Sequence, residues 1–113
     1  MQPNDLTIGG TAYEKWETDV DRSVYAANDH TSFAPHTLAL YRNRPAKGSS
    51  VSRVRVKLTR SITVGESTVP VIVEFAAALP VGTPTTVASE CAEQVALFLA
   101  SPEFSSLLTK QEI

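Results

Sequence analysis

From His36 to Leu79 apolar and polar residues alternate through three successive runs, and after Pro80 apolar residues recur three and four apart instead. A period of two belongs to a strand with one covered face and a period near 3.6 to a helix, so strands followed by helices are required. In residues 36–44, Leu38 and Leu40 alternate with Thr37, Ala39, Tyr41 and Asn43, and "RPAKGSS" then supplies Pro, Gly and Ser for a turn. Residues 51–62 alternate again, most sharply in "SRVRVKL", which sets Val54, Val56 and Leu58 against Arg53, Arg55 and Lys57. After the turn "TVGEST", residues 69–79 place Val71, Val73, Phe75 and Leu79 on one face and Ile72, Glu74 and Ala76 on the other. Short connections between consecutive strands make an antiparallel meander the economical topology.

The flanking segments complete an α+β pattern. "LTIGGTAY" reads as a short strand, a Gly9-Gly10 turn and a second strand beginning near Tyr13. In "EKWETDVDRSVYAAND" neither period fits cleanly, and residues 22–27 read as a further short strand. Beyond Pro80, Thr83 is expected to cap a helix whose first residue is Pro84, where the missing N–H costs nothing. Val87, Cys91, Val95 and Phe98 form its apolar stripe, with Leu99 alongside. Ser101-Pro102-Glu103 repeats the cap and opens a second helix through Phe104, Leu107 and Leu108.

A chain of 113 residues has room for one core, so residues 1–113 are expected to form a single domain. The stripe on the first helix is broad for so small a protein, and another subunit is implied as its cover. Cys91 is the sole cysteine, which excludes an intrachain disulfide framework. No signal-peptide pattern opens the chain, and the longest apolar run, "VPVIVEFAAALPV", is too short to span a bilayer and contains Glu74. A soluble intracellular product without membrane attachment is expected.

The net charge of −2 conceals a segregated distribution. Residues 1–29 sum to −4, residues 30–65 carry seven cations and no acid, and residues 66–113 sum to −5. Alternating polar residues on a solvated sheet face are routine, and so is a lysine on an exposed strand. Solvated faces, however, usually mix signs, and the acid-free middle third points toward a polyanion.

Other constellations point to ordinary surface chemistry. Glu17, Asp19 and Asp21 alternate as a divalent-cation site would require, but without the glycine and distal glutamate of a calcium loop, so an exposed acidic strand edge is expected. His30 and His36 match no zinc spacing and read as surface histidines. Cys91 reads as a small buried hydrophobe with nothing nearby to activate it. No nucleophile, base and oxyanion donor assemble, so no catalytic residue, cofactor, metal or small-molecule substrate is expected.

The strand pair "HTLALYRNRPAKGSSVSRVRVKL", the strand "VPVIVEFAAALP" and the helix pair around "ALFLASPEF" together resemble the coat proteins of single-stranded RNA bacteriophages, the levivirus type, over residues 36–113. The resemblance implies an N-terminal hairpin and first strands in residues 1–35, an antiparallel sheet of about five strands continuing through residues 36–80, and two helices in residues 83–110. It also implies a homodimer in which the helices lie across the partner's sheet through Val87, Cys91, Val95, Phe98, Leu99 and Phe104. Dimers would assemble in the bacterial host cytoplasm into an icosahedral virion shell, with the loop Val64, Gly65 and Glu66 at the contacts between them.

Genomic RNA would lie against Ala39, Tyr41 and Asn43, then Arg53, Arg55 and Lys57, then Ile72, Glu74 and Ala76. Better-known members place a stacking tyrosine where Ile72 stands and a small amide or carboxylate side chain where Glu74 stands. Binding led by charge is therefore expected, with Tyr41 as an alternative stacking surface. The alternative is a small dimeric RNA-binding regulator that forms no shell.

Overall fold

The computed structural model describes residues 2–43 and 50–112, and the chain divides into two compact units, residues 1–78 and residues 79–113. The first unit is built on one sheet whose strands lie side by side in chain order: β1 (Asp5–Ile8), β2 (Thr11–Thr18), β3 (Arg22–Ala27), β4 (His36–Asn43), β5 (Val51–Val64) and β6 (Ser67–Pro80). The turn expected at "RPAKGSS" falls on residues 44–50, of which 44–49 lie outside the described residues.

Six antiparallel strands replace the expected five or so, because the N-terminal hairpin continues the sheet. Tyr13 of β2 pairs with Ala27 of β3, and Lys15 pairs with Tyr25. The register then slips to Glu17 opposite Val24, which leaves Trp16 as the extra residue of a β-bulge. That bulge is why neither period fitted this stretch.

One face of the sheet holds the core. Tyr13, Tyr25, Ala27 and Leu38 cluster there, with Leu6, Leu40, Val56 and Leu58 packed against them. Leu38 opposes Leu58 and Leu40 opposes Val56, so the aliphatic side of "SRVRVKL" joins this core as its alternation requires. Tyr25 is completely buried, and its hydroxyl donates to the Pro3 carbonyl at 2.6 Å, which satisfies the one polar atom that burial would otherwise orphan. Burial also raises its pKa above 10.0.

The β5–β6 connection is tighter than expected. Val64 ends one strand and Ser67 begins the next, so only Gly65 and Glu66 turn the chain. Gly65 takes φ +64°, the positive value demanded of a first central residue in a two-residue hairpin.

The second unit contains α1 (Thr85–Leu99) and α2 (Pro102–Lys110). Thr83 does not cap α1, contrary to expectation: its hydroxyl donates to the Pro80 carbonyl at 2.6 Å and its N–H to the same oxygen at 3.1 Å. The turn after β6 has claimed the side chain, so Pro84 becomes the cap residue and no side chain caps the helix. Ser101 does cap α2, accepting from the Phe104 N–H at 3.3 Å with Pro102 behind it. Among the described residues, no helix is long and apolar enough to cross a membrane.

Candidate nucleic-acid interface

Opposite the core, the β4–β5 register brings six of the expected contact residues together as three direct cross-strand pairs. Ala39 faces Lys57, Tyr41 faces Arg55 and Asn43 faces Arg53. Cross-strand partners share a face, so all six project away from Leu38, Leu40, Val56 and Leu58. The Arg55 guanidinium stacks over the Tyr41 ring, 4.3 Å from its centroid. Arg53, Arg55 and Asn43 are exposed, Tyr41 and Lys57 are half-buried, and Ala39 is buried as the floor of the face.

The cations of the middle third are not equivalent. Arg42 donates from Nε to Asp21 at 3.3 Å and from a terminal nitrogen to the Val20 carbonyl at 2.7 Å. Arg22 of β3 forms an ion pair with Glu17. Among the described residues, no carboxylate lies within ion-pair distance of Arg53, Arg55 or Lys57. The acids of the N-terminal third thus pair with Arg22 and Arg42, and among the described residues none pairs with Arg53, Arg55 or Lys57. Arg44 and Lys47 lie outside the described residues.

This pairing corrects the expected acidic strand edge. Glu17 is the last residue but one of β2, and Asp19 and Asp21 sit in the turn after it, where Asp19 accepts from the Val20 N–H at 2.7 Å. No cluster able to hold a metal ion forms among the described residues.

On β6, Ile72, Glu74 and Ala76 are exposed. Ala76 shares a shallow cavity of about 410 Å³ with Tyr41, Asn43, Arg53 and Arg55.

His36 is not a surface histidine. It lies on the core face of β4, 8% exposed, with Nε2 3.1 Å from the Tyr13 hydroxyl and Nδ1 2.7 Å from Asp29. A carboxylate only accepts, so Nδ1 carries the proton, and in the neutral ring Nε2 accepts from Tyr13. The hydrogen bond from His36 holds the Asp29 carboxyl below 3.8, and burial lifts the Tyr13 phenol above 10.0. The His36 N–H donates to Nδ1 of His30 at 3.0 Å, which fixes the second imidazole.

His30 in turn meets Trp16, the two ring centroids 4.5 Å apart. Both rings line a cleft of about 470 Å³ together with Tyr41, Lys57, Thr37 and Thr59. Sequence alternation gave no hint of this cleft, because the bulge at Trp16 and the 28–35 loop create it.

In the second unit, no residue of α1 is buried. Val87, Val95, Phe98 and Leu99 are all exposed, and so is Cys91, which was expected to be buried. Among the described residues of the second unit, nothing covers the stripe it belongs to. Phe104 is half-buried, its ring 6.0 Å from that of Phe98 in an edge-on contact.

No protein-family model matches the chain, and no curated protein is similar to it at a significant level. Its structure, however, superposes on chains of known virus-like particles. Against that of Beihai levi-like virus 32 the TM-score is 0.78 at 23% identity, covering 94% of this chain and 90% of the other. For bacteriophage AVE019 the values are 0.79 and 19%, with 92% and 89% covered. For Beihai levi-like virus 21 they are 0.83 and 11%, with 100% and 98% covered. The α+β fold expected from the resemblance, an antiparallel sheet followed by two C-terminal helices, is therefore the fold observed, with six strands in the sheet.

Proposed function

We propose that the chain is a capsid protein of a single-stranded RNA phage, which dimerises, assembles into an icosahedral shell and packages RNA against the β4–β5 face. The observation that carries this reading is the register that lines Arg53, Arg55 and Lys57 along one face, with no carboxylate partner among the described residues. Such a row neutralises phosphates and reads no sequence, as packaging a whole genome requires. The levi-like particle fold supports the shell.

The dimer rests on a different observation. Val87, Val95, Phe98 and Leu99 leave a broad apolar stripe exposed on α1, while Val54, Val71 and Val73 are exposed on the sheet. Exposed apolar side chains in such number mark an interface. In the proposed dimer the helices of each subunit cover the sheet of its partner, with Cys91 and Phe104 inside the contact. Val64, Gly65 and Glu66, at the tip of the longest hairpin, then meet neighbouring dimers.

Electron microscopy and a sizing column test the proposal on the expressed protein. Closed shells in the void volume, with nuclease-protected RNA, are expected. A protein that binds RNA and elutes only as a dimer would instead be a regulator without a shell.

A further inference from the structure

We infer that Trp16 and His30 form a stacking platform for an unpaired nucleobase at the Lys57 end of the basic face. The inference rests on the RNA-binding reading above and adds to it a base contact from the N-terminal third of the chain. The bulge between Lys15 and Glu17 turns Trp16 out of the core alternation, and 60% of the residue remains exposed. Its indole is nevertheless held. The His30 ring leans on it at 58°, and His30 is itself anchored by the His36 N–H. A platform fixed before binding loses little freedom when a base lands on it.

The surroundings suit a nucleotide better than a purely apolar ligand. The cleft of about 470 Å³ falls within the ~300–1,000 Å³ typical of small-ligand sites. Lys57 stands at its wall to meet a phosphate, and the one acid lining it, Glu17, is already neutralised by Arg22. Thr37 and Thr59, direct partners across β4 and β5, offer hydroxyls to a base edge or ribose. Any base presents a π-face, so the platform tolerates sequence while still requiring a base.

Trp16 is the only tryptophan of the chain, so its emission reports on the platform alone. The assembly-competent protein is titrated with a labelled oligoadenylate and with a base-free ribose-phosphate oligomer of equal length, following anisotropy for binding and Trp16 emission for stacking. Both are expected to bind, and only the oligoadenylate to quench. Trp16→Ala should weaken oligoadenylate binding about ten-fold and leave the base-free oligomer unchanged, whereas Trp16→Phe should hold affinity. His30→Ala should reduce the quench without unfolding the sheet, which keeps the test decisive if Trp16→Ala fails to fold. Equal quenching by the two oligomers, or unaltered emission while both bind, overturns the platform and leaves the basic face standing. If neither oligomer binds, the RNA reading fails and the platform with it.

Discussion

Arg55 and Tyr41 are direct partners across β4 and β5, and the guanidinium lies 4.3 Å from the centre of the tyrosine ring. The ring thus orients a cation instead of standing free as a stacking surface. Tyr41→Ala is expected to cost about 0.5–1 kcal/mol of stability, with Tyr41→Phe close to neutral, because the quadrupole of the ring and not its hydroxyl holds the arginine. Urea melts of the two variants check this. The slope of RNA affinity against salt should stay constant in both, since the number of charges is unchanged.

Removing the charges should have the opposite signature. Arg53→Gln, Arg55→Gln and Lys57→Gln combined should flatten the slope of log affinity against log salt by about 2 per subunit, at about 0.7 for each phosphate no longer neutralised. Particles of the triple variant should form with less RNA inside. A slope equal to that of the parent protein would mean that this row does not touch the nucleic acid.

The strands from His36 to Pro80 were legible because one apolar and one polar face produce alternation, and β4 to β6 fall within a few residues of where the pattern puts them. The grouping of Ala39, Tyr41 and Asn43 with Arg53, Arg55 and Lys57 followed from the same parity once the strands were antiparallel neighbours. What escaped depends on side chains that meet across distance. His36 became a core residue through Tyr13, 23 positions away, and Arg42 lost its availability to Asp21, 21 positions away. Charge counting along the chain cannot separate such a paired arginine from a bare one. Thr83 carries a cap signature and spends it on the preceding turn, a competition between two local hydrogen bonds that composition does not rank.

Gly65 offers a clean measurement of backbone cost. A Cβ there would meet nothing within 4 Å, so steric crowding contributes nothing, yet φ is +64°. Gly65→Ala should therefore destabilise the hairpin by about 1–2 kcal/mol through conformation alone, and Glu66→Ala should stay within about 0.5 kcal/mol. Denaturant midpoints with unchanged m-values decide it. A neutral Gly65→Ala would mean that the turn readily adopts another conformation.

The Asp29–His36 contact makes an acid-range prediction. The folded-state carboxyl of Asp29 is held below 3.8, so its contribution to stability is present in full above that value and is lost as pH falls through the depressed folded pKa. The difference in stability between parent protein and Asp29→Asn should close as pH falls below about 4. Urea denaturation across this range measures the gap. A gap that widens as pH falls below about 4 would assign the wrong sign to the interaction.

The last prediction concerns the uncovered helix. Val95 lies mid-stripe on α1, 41% exposed, between Cys91 and Phe98 at helical spacing. If the stripe is the dimer contact, folding and association are one equilibrium, and the melting temperature must rise with protein concentration. Val95→Asp places a carboxylate where the partner would have to bury it without a counter-charge, which costs far more than the lost methyl groups. That variant should accumulate as aggregate or unfolded chain at concentrations where the parent is a folded dimer, whereas Val95→Ala should remain dimeric with a lower midpoint. Analytical ultracentrifugation beside thermal melts over a hundred-fold concentration range separates the cases. A concentration-independent midpoint, or a folded and soluble Val95→Asp dimer, would show that this face of α1 points to solvent and that the subunits meet elsewhere.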